Sequence, residues 1–366
     1  MKPITFSLLF IFTYSTFYSQ CEEVTLETIS NSGPYAVGYL IEGVHPIRNG
    51  PDYDGATIYY PTNGTPPYSG IAIIPGYCGV ESDIQDWGPF YASHGIVAIT
   101  LGTNDPCADW PSARATALLD AIVTVKEENS RQDSPLKDKI DVNSFAVSGW
   151  SMGGGGSQLA ASIDPSLKAV IGLCPWLDLN GFEPSDLIHE VPVLIFTGEN
   201  DDIANSAEYG YMHYQGTPST TDKLYFEIAN GGHGAANSPD LEGGEVGVYA
   251  LSWLKTYLDN DPCYCEFLIN TPSNSSDYET NIECLNAGID EGENLMHFIH
   301  PNPVQDYIEF TNDGIESTYE LKSSNGKSIK SGIVSHGYNK ILFEKQNTEV
   351  YFLIIAGKSY KLISIK

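Results

Sequence analysis

Basic side chains are scarce in this chain. Its 366 residues carry 18 Lys and Arg against 47 Asp and Glu, a formal net charge of -29, and the isoelectric point lies near 4.4. A field of that sign repels polyanions, which excludes nucleic acid and anionic membrane surfaces as partners and suits an uncharged substrate. Long apolar runs are missing beyond the first twenty residues, so no later segment is expected to cross a bilayer. Fixed-period repeats and low-complexity tracts are absent too. The cysteines offer one C-x-C, Cys263 and Cys265, with no matching pair elsewhere, a poor spacing for zinc. No metal and no cofactor is expected.

What is present begins with an export signature. Lys2 supplies a positive start, Ile4 to Thr13 is apolar but too short to span a membrane, and Ser19–Gln20 offers a cleavage site. Residues 1–19 are therefore read as a signal peptide. Gln20 is not the small residue that lipoprotein processing needs before Cys21. Export permits disulfides. The seven cysteines leave at least one thiol free, and Cys174, closing the apolar run Ala169–Leu173, is the candidate. Cys263, Cys265 and Cys284 are expected to staple the end of the last large helix.

From residue 20 to 269 short apolar runs alternate with helical stretches. Val97–Leu101, Ser144–Val147, Ala169–Leu173 and Val193–Thr197 read as strands buried on both faces of a mainly parallel sheet. Helical spacing covers Ala113–Glu128 and Val246–Leu258. Such alternation predicts a doubly wound α/β sheet. Two earlier segments, Gly55–Pro61 and Gly70–Pro75, read as a hairpin-like pair. Residues 270–295 are polar and aperiodic, and are expected to be a linker carrying the cysteine staple. Residues 296–366 hold 8 of the 18 basic residues against 7 acidic ones, so the negative charge lies elsewhere. Short alternating strands at Tyr307–Phe310, Thr318–Lys322, Lys340–Phe343, Val350–Ile355 and Tyr360–Ile365 predict a small all-β sandwich there.

One string carries chemistry. Gly149–Trp150–Ser151–Met152–Gly153 follows a strand and opens a helical stretch, the arrangement of a nucleophile elbow in an α/β-hydrolase fold. Flanking glycines are needed because side chains there would clash, and the helix N-terminus favours a developing anion. Ser151 is the expected nucleophile. A base and an orienting acid should follow in the order acid, then histidine. The acid lies past Val193–Thr197: Asp201 is chosen, with Asp202 and Glu199 as competitors. The base is His233, set among glycines after Leu224–Ile228. His45 and His94 precede the elbow, His189 precedes the acid, His297, His300 and His336 lie in the tail, and His213 is expected to be a solvated surface residue. An oxyanion hole needs two backbone N–H groups, expected from Met152 and from Tyr77 in the loop after Ile73–Ile74.

These strings together with PGY, ASHG, GWSMGGGGS, PWLDLN, END and NGGHGAANS resemble the bacterial cutinase and poly(ethylene terephthalate) hydrolase family over roughly residues 34–290. The resemblance implies Ser151, Asp201 and His233 as triad and Tyr77 and Met152 as oxyanion donors. It also implies Trp176, with Tyr77, as an aromatic clamp; the expected substrate-binding set is Tyr77, Trp150, Trp176 and Ile203. The chain departs from the family pattern at three places. Gly198 stands where a bridging cysteine is frequent, Gly234 follows His233 in place of Ser or Phe, and Cys78 and Cys107 occupy two loops at the cleft edge.

Pro301–Asn302–Pro303, Asn325–Gly326–Lys327, Val350–Tyr351–Phe352 and Ser359–Leu362 resemble the C-terminal sorting domain of the type IX secretion pathway. The expectation is then a secreted, monomeric serine ester hydrolase acting on a neutral ester or polyester through an acyl-enzyme, with the type IX machinery as partner. A lipase or small-molecule esterase using the same triad is the alternative.

Overall fold

Runs of β-branched and aliphatic residues supply strands that water does not reach. The computed structural model describes Cys21 and residues 24–177, 187–284, 307–312, 316–323, 327–342, 350–355 and 358–363. The expected signal segment and residues 285–295 of the expected linker lie outside the described residues. The chain divides into two compact units, Met1–Cys284 and Leu285–Lys366.

In the first unit the elements run α1 (Leu26–Ser30), β1 (Val37–Ile41), β2 (Ala56–Pro61), β3 (Tyr68–Ile74), α2 (Trp87–Ser93), β4 (Val97–Leu101), α3 (Pro111–Glu128) and β5 (Ile140–Trp150). They continue through α4 (Met152–Ile163), β6 (Ala169–Leu173), β7 (Val193–Gly198), α5 (Gly210–Gly216), β8 (Lys223–Ile228), α6 (Glu245–Leu258) and β9 (Ser275–Thr280). The strands form one nine-stranded sheet in the order β1-β2-β4-β3-β5-β6-β7-β8-β9. From β4 to β8 the neighbours are parallel, while β1, β2 and β9 pair antiparallel at the edges. This is the α/β-hydrolase architecture, a doubly wound sheet with helices on both faces.

Strands β3, β4, β6 and β7 are buried at every position, which is why their sequences are mostly apolar. Alternate residues still feed opposite layers. Ala72 and Ile74 join Leu118, Val125 and Leu159 of α3 and α4 in one core, whereas Ile71 and Ile73 join Trp87 and Trp253 of α2 and α6 in the other.

Two expectations are corrected by this topology. β2 and β3 are not a hairpin, because β4 lies between them; β3 is a central strand that needs a parallel neighbour on each side. The polar stretch after residue 270 contains β9, which pairs with β8 from Leu224↔Thr280 to Ile228↔Ser275. An edge strand with exposed positions tolerates Ser, Asp, Glu and Thr, so its composition gave no apolar signal. Disulfides join Cys21 to Cys263, Cys265 to Cys284 and Cys78 to Cys107, and Cys174 is free and buried.

The third correction concerns His213. It is fully buried because α5 packs against β7 and β8 despite its polar composition, and among the described residues neither ring nitrogen has a partner. Burial lowers its pKa to about 3, and burial likewise lowers those of His94 and His189 to about 4. Neutral imidazole is thus favoured by the fold. The stability this represents is complete above the unfolded value of about 6.5 and is lost as pH falls from there toward about 4. Three such groups predict a loss of up to about 4 kcal/mol per pH unit in that window. Urea midpoints measured between pH 7.5 and 4.5 check this, and His213→Phe should flatten the slope by about a third, one of three protons. A midpoint unchanged over that range would refute it.

The second unit holds β10 (Tyr307–Asn312), β11 (Ser317–Ser323), β12 (Ser328–Val334), β13 (Gly337–Leu342), β14 (Val350–Ile355) and β15 (Lys358–Ile363). A two-stranded sheet, β10-β13, and a four-stranded sheet, β12-β11-β14-β15, share one core containing Ile308, Phe310, Leu321, Tyr351 and Leu353. The all-β expectation matches these sheets. β12, with Lys and Ser on exposed positions, was not read from the sequence.

Candidate active site

β5 delivers the chain to Ser151, whose φ of 54° and ψ of -120° place it between strand and helix as the N-cap of α4. Such a conformation is costly for a non-glycine residue and persists only where its surroundings hold it. Here Ser151 N donates to Leu173 O at 2.8 Å, while Ser151 O accepts from Trp176 N at 2.8 Å and from Gly154 N at 2.9 Å. The end of β6 therefore grips the turn from both sides. The flanking glycines are sterically required: a Cβ on Gly149 would lie 2.2 Å from Gly153 O, and one on Gly153 would lie 2.5 Å from Ile74 O.

His233, in the loop after β8, places Nε2 2.8 Å from Ser151 Oγ and Nδ1 2.8 Å from Asp201 Oδ2. The other carboxylate oxygen of Asp201 accepts from Ile203 N at 2.9 Å and Ala204 N at 2.8 Å. Burial alone would raise the Asp201 pKa, but the hydrogen bonds from His233 and the two amides outweigh it and hold the carboxyl below its usual value. An ionised carboxylate can only accept, so His233 Nδ1 carries the proton and Nε2 turns its lone pair to Ser151. Trp150 fixes the loop: its Nε1 donates to His233 O at 2.8 Å, and its ring lies 5.3 Å from the imidazole.

Of the three acidic candidates, Asp201 is the one that meets His233. Glu199 instead accepts from Asn230 N at 2.7 Å, and Asp202 is exposed. The acid and histidine loops also touch through backbone, with Asn200 N to Gly231 O at 2.7 Å. A Cβ on Gly198 would meet Gly232 O at 2.5 Å. Glycine is what allows this approach without the bridging cysteine.

Met152 is the first residue of α4, so its N–H has no acceptor within the helix. Across from it, the loop after β3 presses on the serine: a Cβ on Gly76 would lie 2.8 Å from Ser151 Cβ. In that loop Cys78 N donates to Pro106 O at 2.7 Å and Gly79 N to Gly76 O at 3.1 Å, while Tyr77 N has no backbone acceptor among the described residues. Arg114 ties this loop to the next. Its guanidinium, fully buried, donates to Pro75 O at 3.0 Å and Pro106 O at 2.9 Å. Burial lowers its pKa to about 10, which leaves it charged at neutral pH. Cys174, beside the site, is chemically quiet: burial pushes its thiol up to about 12.

Around the serine, Tyr77 is 58% exposed and Ile203 62% exposed. The Trp176 ring meets Trp110 at 5.9 Å and Tyr209 at 5.8 Å. Trp110, Tyr209 and Arg114 were not read from the sequence. A tryptophan in a polar loop just before the helix-opening Pro111 was the available signal for the first of them. Among the described residues no group of three His, Cys, Asp or Glu could hold a metal ion.

A strained serine between strand and helix, in line with a histidine and a buried carboxylate, on a doubly wound sheet, marks a hydrolase of the α/β class. The chain belongs to the PET hydrolase-like family, whose sequence model matches residues 23–284. It is 38% identical over 244 residues to Cutinase est1 of Thermobifida alba, covering 66% of this chain and 77% of that protein. It is 37% identical to Cutinase 1 of Thermobifida cellulosilytica, covering 66% and 87%, and 36% identical to the bis(hydroxyethyl) terephthalate hydrolase of Streptomyces coelicolor (strain ATCC BAA-471 / A3(2) / M145), covering 66% and 73%. The chain is a carboxylic ester hydrolase.

Proposed function

We propose that this hydrolase cleaves the ester bonds of polyesters, including aromatic ones, through an acyl-enzyme on Ser151. The observation that carries it is the unbroken line of 2.8 Å contacts from Asp201 through His233 to Ser151 Oγ. In this reading His233 Nε2 takes the Ser151 proton as Oγ bonds to the acyl carbon, and the carbonyl oxygen becomes an anion facing the amides of Tyr77 and Met152. The imidazolium, stabilised by Asp201, then returns that proton to the leaving alkoxide as the C–O bond breaks. Water repeats the two steps on the acyl-enzyme, releasing the acid and restoring Ser151. The exposed Tyr77 and Ile203 leave a rim open to a chain, and the names of the cutinase and terephthalate hydrolase relatives point to the same substrate class. The expected result is release of soluble acid from an amorphous aromatic polyester film alongside turnover of short p-nitrophenyl esters. Turnover of the short esters with no release from the film above a Ser151→Ala control would refute the polyester reading.

Export belongs to the same proposal: residues 1–19 direct secretion and residues 296–366 address the type IX machinery. Three disulfides suit an oxidising compartment. Ser151, Asp201, His233, Tyr77 and Met152 all lie in the first unit, so truncation after residue 295 should leave kcat/KM on a soluble ester within about twofold while abolishing secretion in the native host. Normal export of the truncated chain would overturn the sorting role.

A further inference from the structure

We propose that Trp110 and Trp176 form a second ring-binding subsite, which receives the next uncharged aromatic ring of an ester chain beyond the ring at the scissile bond. This rests on the polyester reading above. Trp176 is anchored at the reacting centre, because its N–H donates to the carbonyl of Ser151. Its ring is half-buried and meets Trp110 at an interplanar angle of 42° and Tyr209 at 27°. The Trp176 ring thus touches two further aromatic rings, Trp110 and Tyr209.

Trp110 is 55% exposed, and the fold does not need its indole to hold the loop. That loop is fixed by other means: the Cys78–Cys107 disulfide, the Cys78 N–Pro106 O bond, the Arg114 grip on Pro106 O, and an internal turn in which Asp105 N donates to Asp109 Oδ2 and Asp109 N to Asp105 O. A large apolar surface is therefore held in water on a braced frame. Such preorganisation lowers the entropy cost of binding, and aromatic faces favour offset or tilted ring partners. Charge selects the occupant. Asp105 and Asp109 lie in the same loop, on a chain of net charge -29, so a ring bearing a free carboxylate is repelled and an ester-linked ring is accepted.

The test uses the full-length chain in a Ser151→Ala background, where ligands bind without turnover. Calorimetry would give Kd for a one-ring diol diester of terephthalate and for its two-ring ester dimer. Adding Trp110→Ala is expected to weaken the dimer about five- to tenfold more than the one-ring ester, the size of one stacked ring contact. Trp110→Phe should retain most of the difference. In the active enzyme the two-ring to one-ring ratio of kcat/KM should fall by the same factor, through KM. An unchanged ratio, or equal weakening of both ligands, would overturn the subsite. Absence of any ester turnover by the unmodified chain would refute the function reading instead, and the binding ratio would still decide the subsite.

Discussion

Replacing Ser151 by alanine should abolish ester hydrolysis, with kcat falling on the order of 10⁶-fold, as removal of the nucleophile does in other serine hydrolases. The fold should survive. Ser151 is held by its backbone, N–H to Leu173 O and carbonyl to Trp176 N, and alanine keeps both bonds. Among the described residues the hydroxyl itself bonds to His233 Nε2 alone. The melting temperature should therefore stay close to that of the parent, and a fluorophosphonate should label the parent at Ser151 and leave the variant untouched. Residual turnover above about a tenth of the parent would remove Ser151 from the nucleophile role.

Asp201→Asn carries the second largest effect, about 10⁴ in kcat by analogy with the buried aspartate of serine proteases. The reason is tautomeric. Oδ1 accepts from the amides of Ile203 and Ala204, so an asparagine would keep its oxygen there and turn its NH₂ toward His233. Nδ1 must then accept, the proton moves to Nε2, and Nε2 no longer has a lone pair for the Ser151 proton. Geometry is nearly unchanged while the base is silenced. Burst and steady-state kinetics on a soluble ester measure this; a loss smaller than about tenfold would mean that another carboxylate, Glu199 or Asp202, serves the histidine.

Both predictions depend on an arrangement that was unevenly legible in the sequence. Short-range features could be read. Gly149-x-Ser151-x-Gly153 after an apolar run signals a turn in which backbone meets backbone, and the 2.2 and 2.5 Å approaches at its glycines give the reason. The buried strands β4, β6 and β7 could be read because a strand covered on both faces is mostly apolar along its length. Two polar edge strands escaped. β9 and β12 face water along part of their length, so nothing in their composition separates them from loops.

By itself, then, the sequence determined which residues are chemically capable: one serine on a strand-to-helix turn, a cluster of carboxylates after β7, and a histidine among glycines after β8. It also determined that Cys174, ending an apolar strand, would be the buried thiol. Only the tertiary structure decided which of these meet. Glu199 and Asp202 lie within two residues of Asp201, yet the backbone turn sends one carboxylate to His233, one to the amide of Asn230 and one to solvent. The burial of His213, the separation of β2 from β3 by β4, and the meeting of Trp110 with Trp176 across 66 positions of sequence were likewise decided there. Local propensity acts over a few residues, whereas these contacts are made where distant segments close on one another, and no local pattern records that closure.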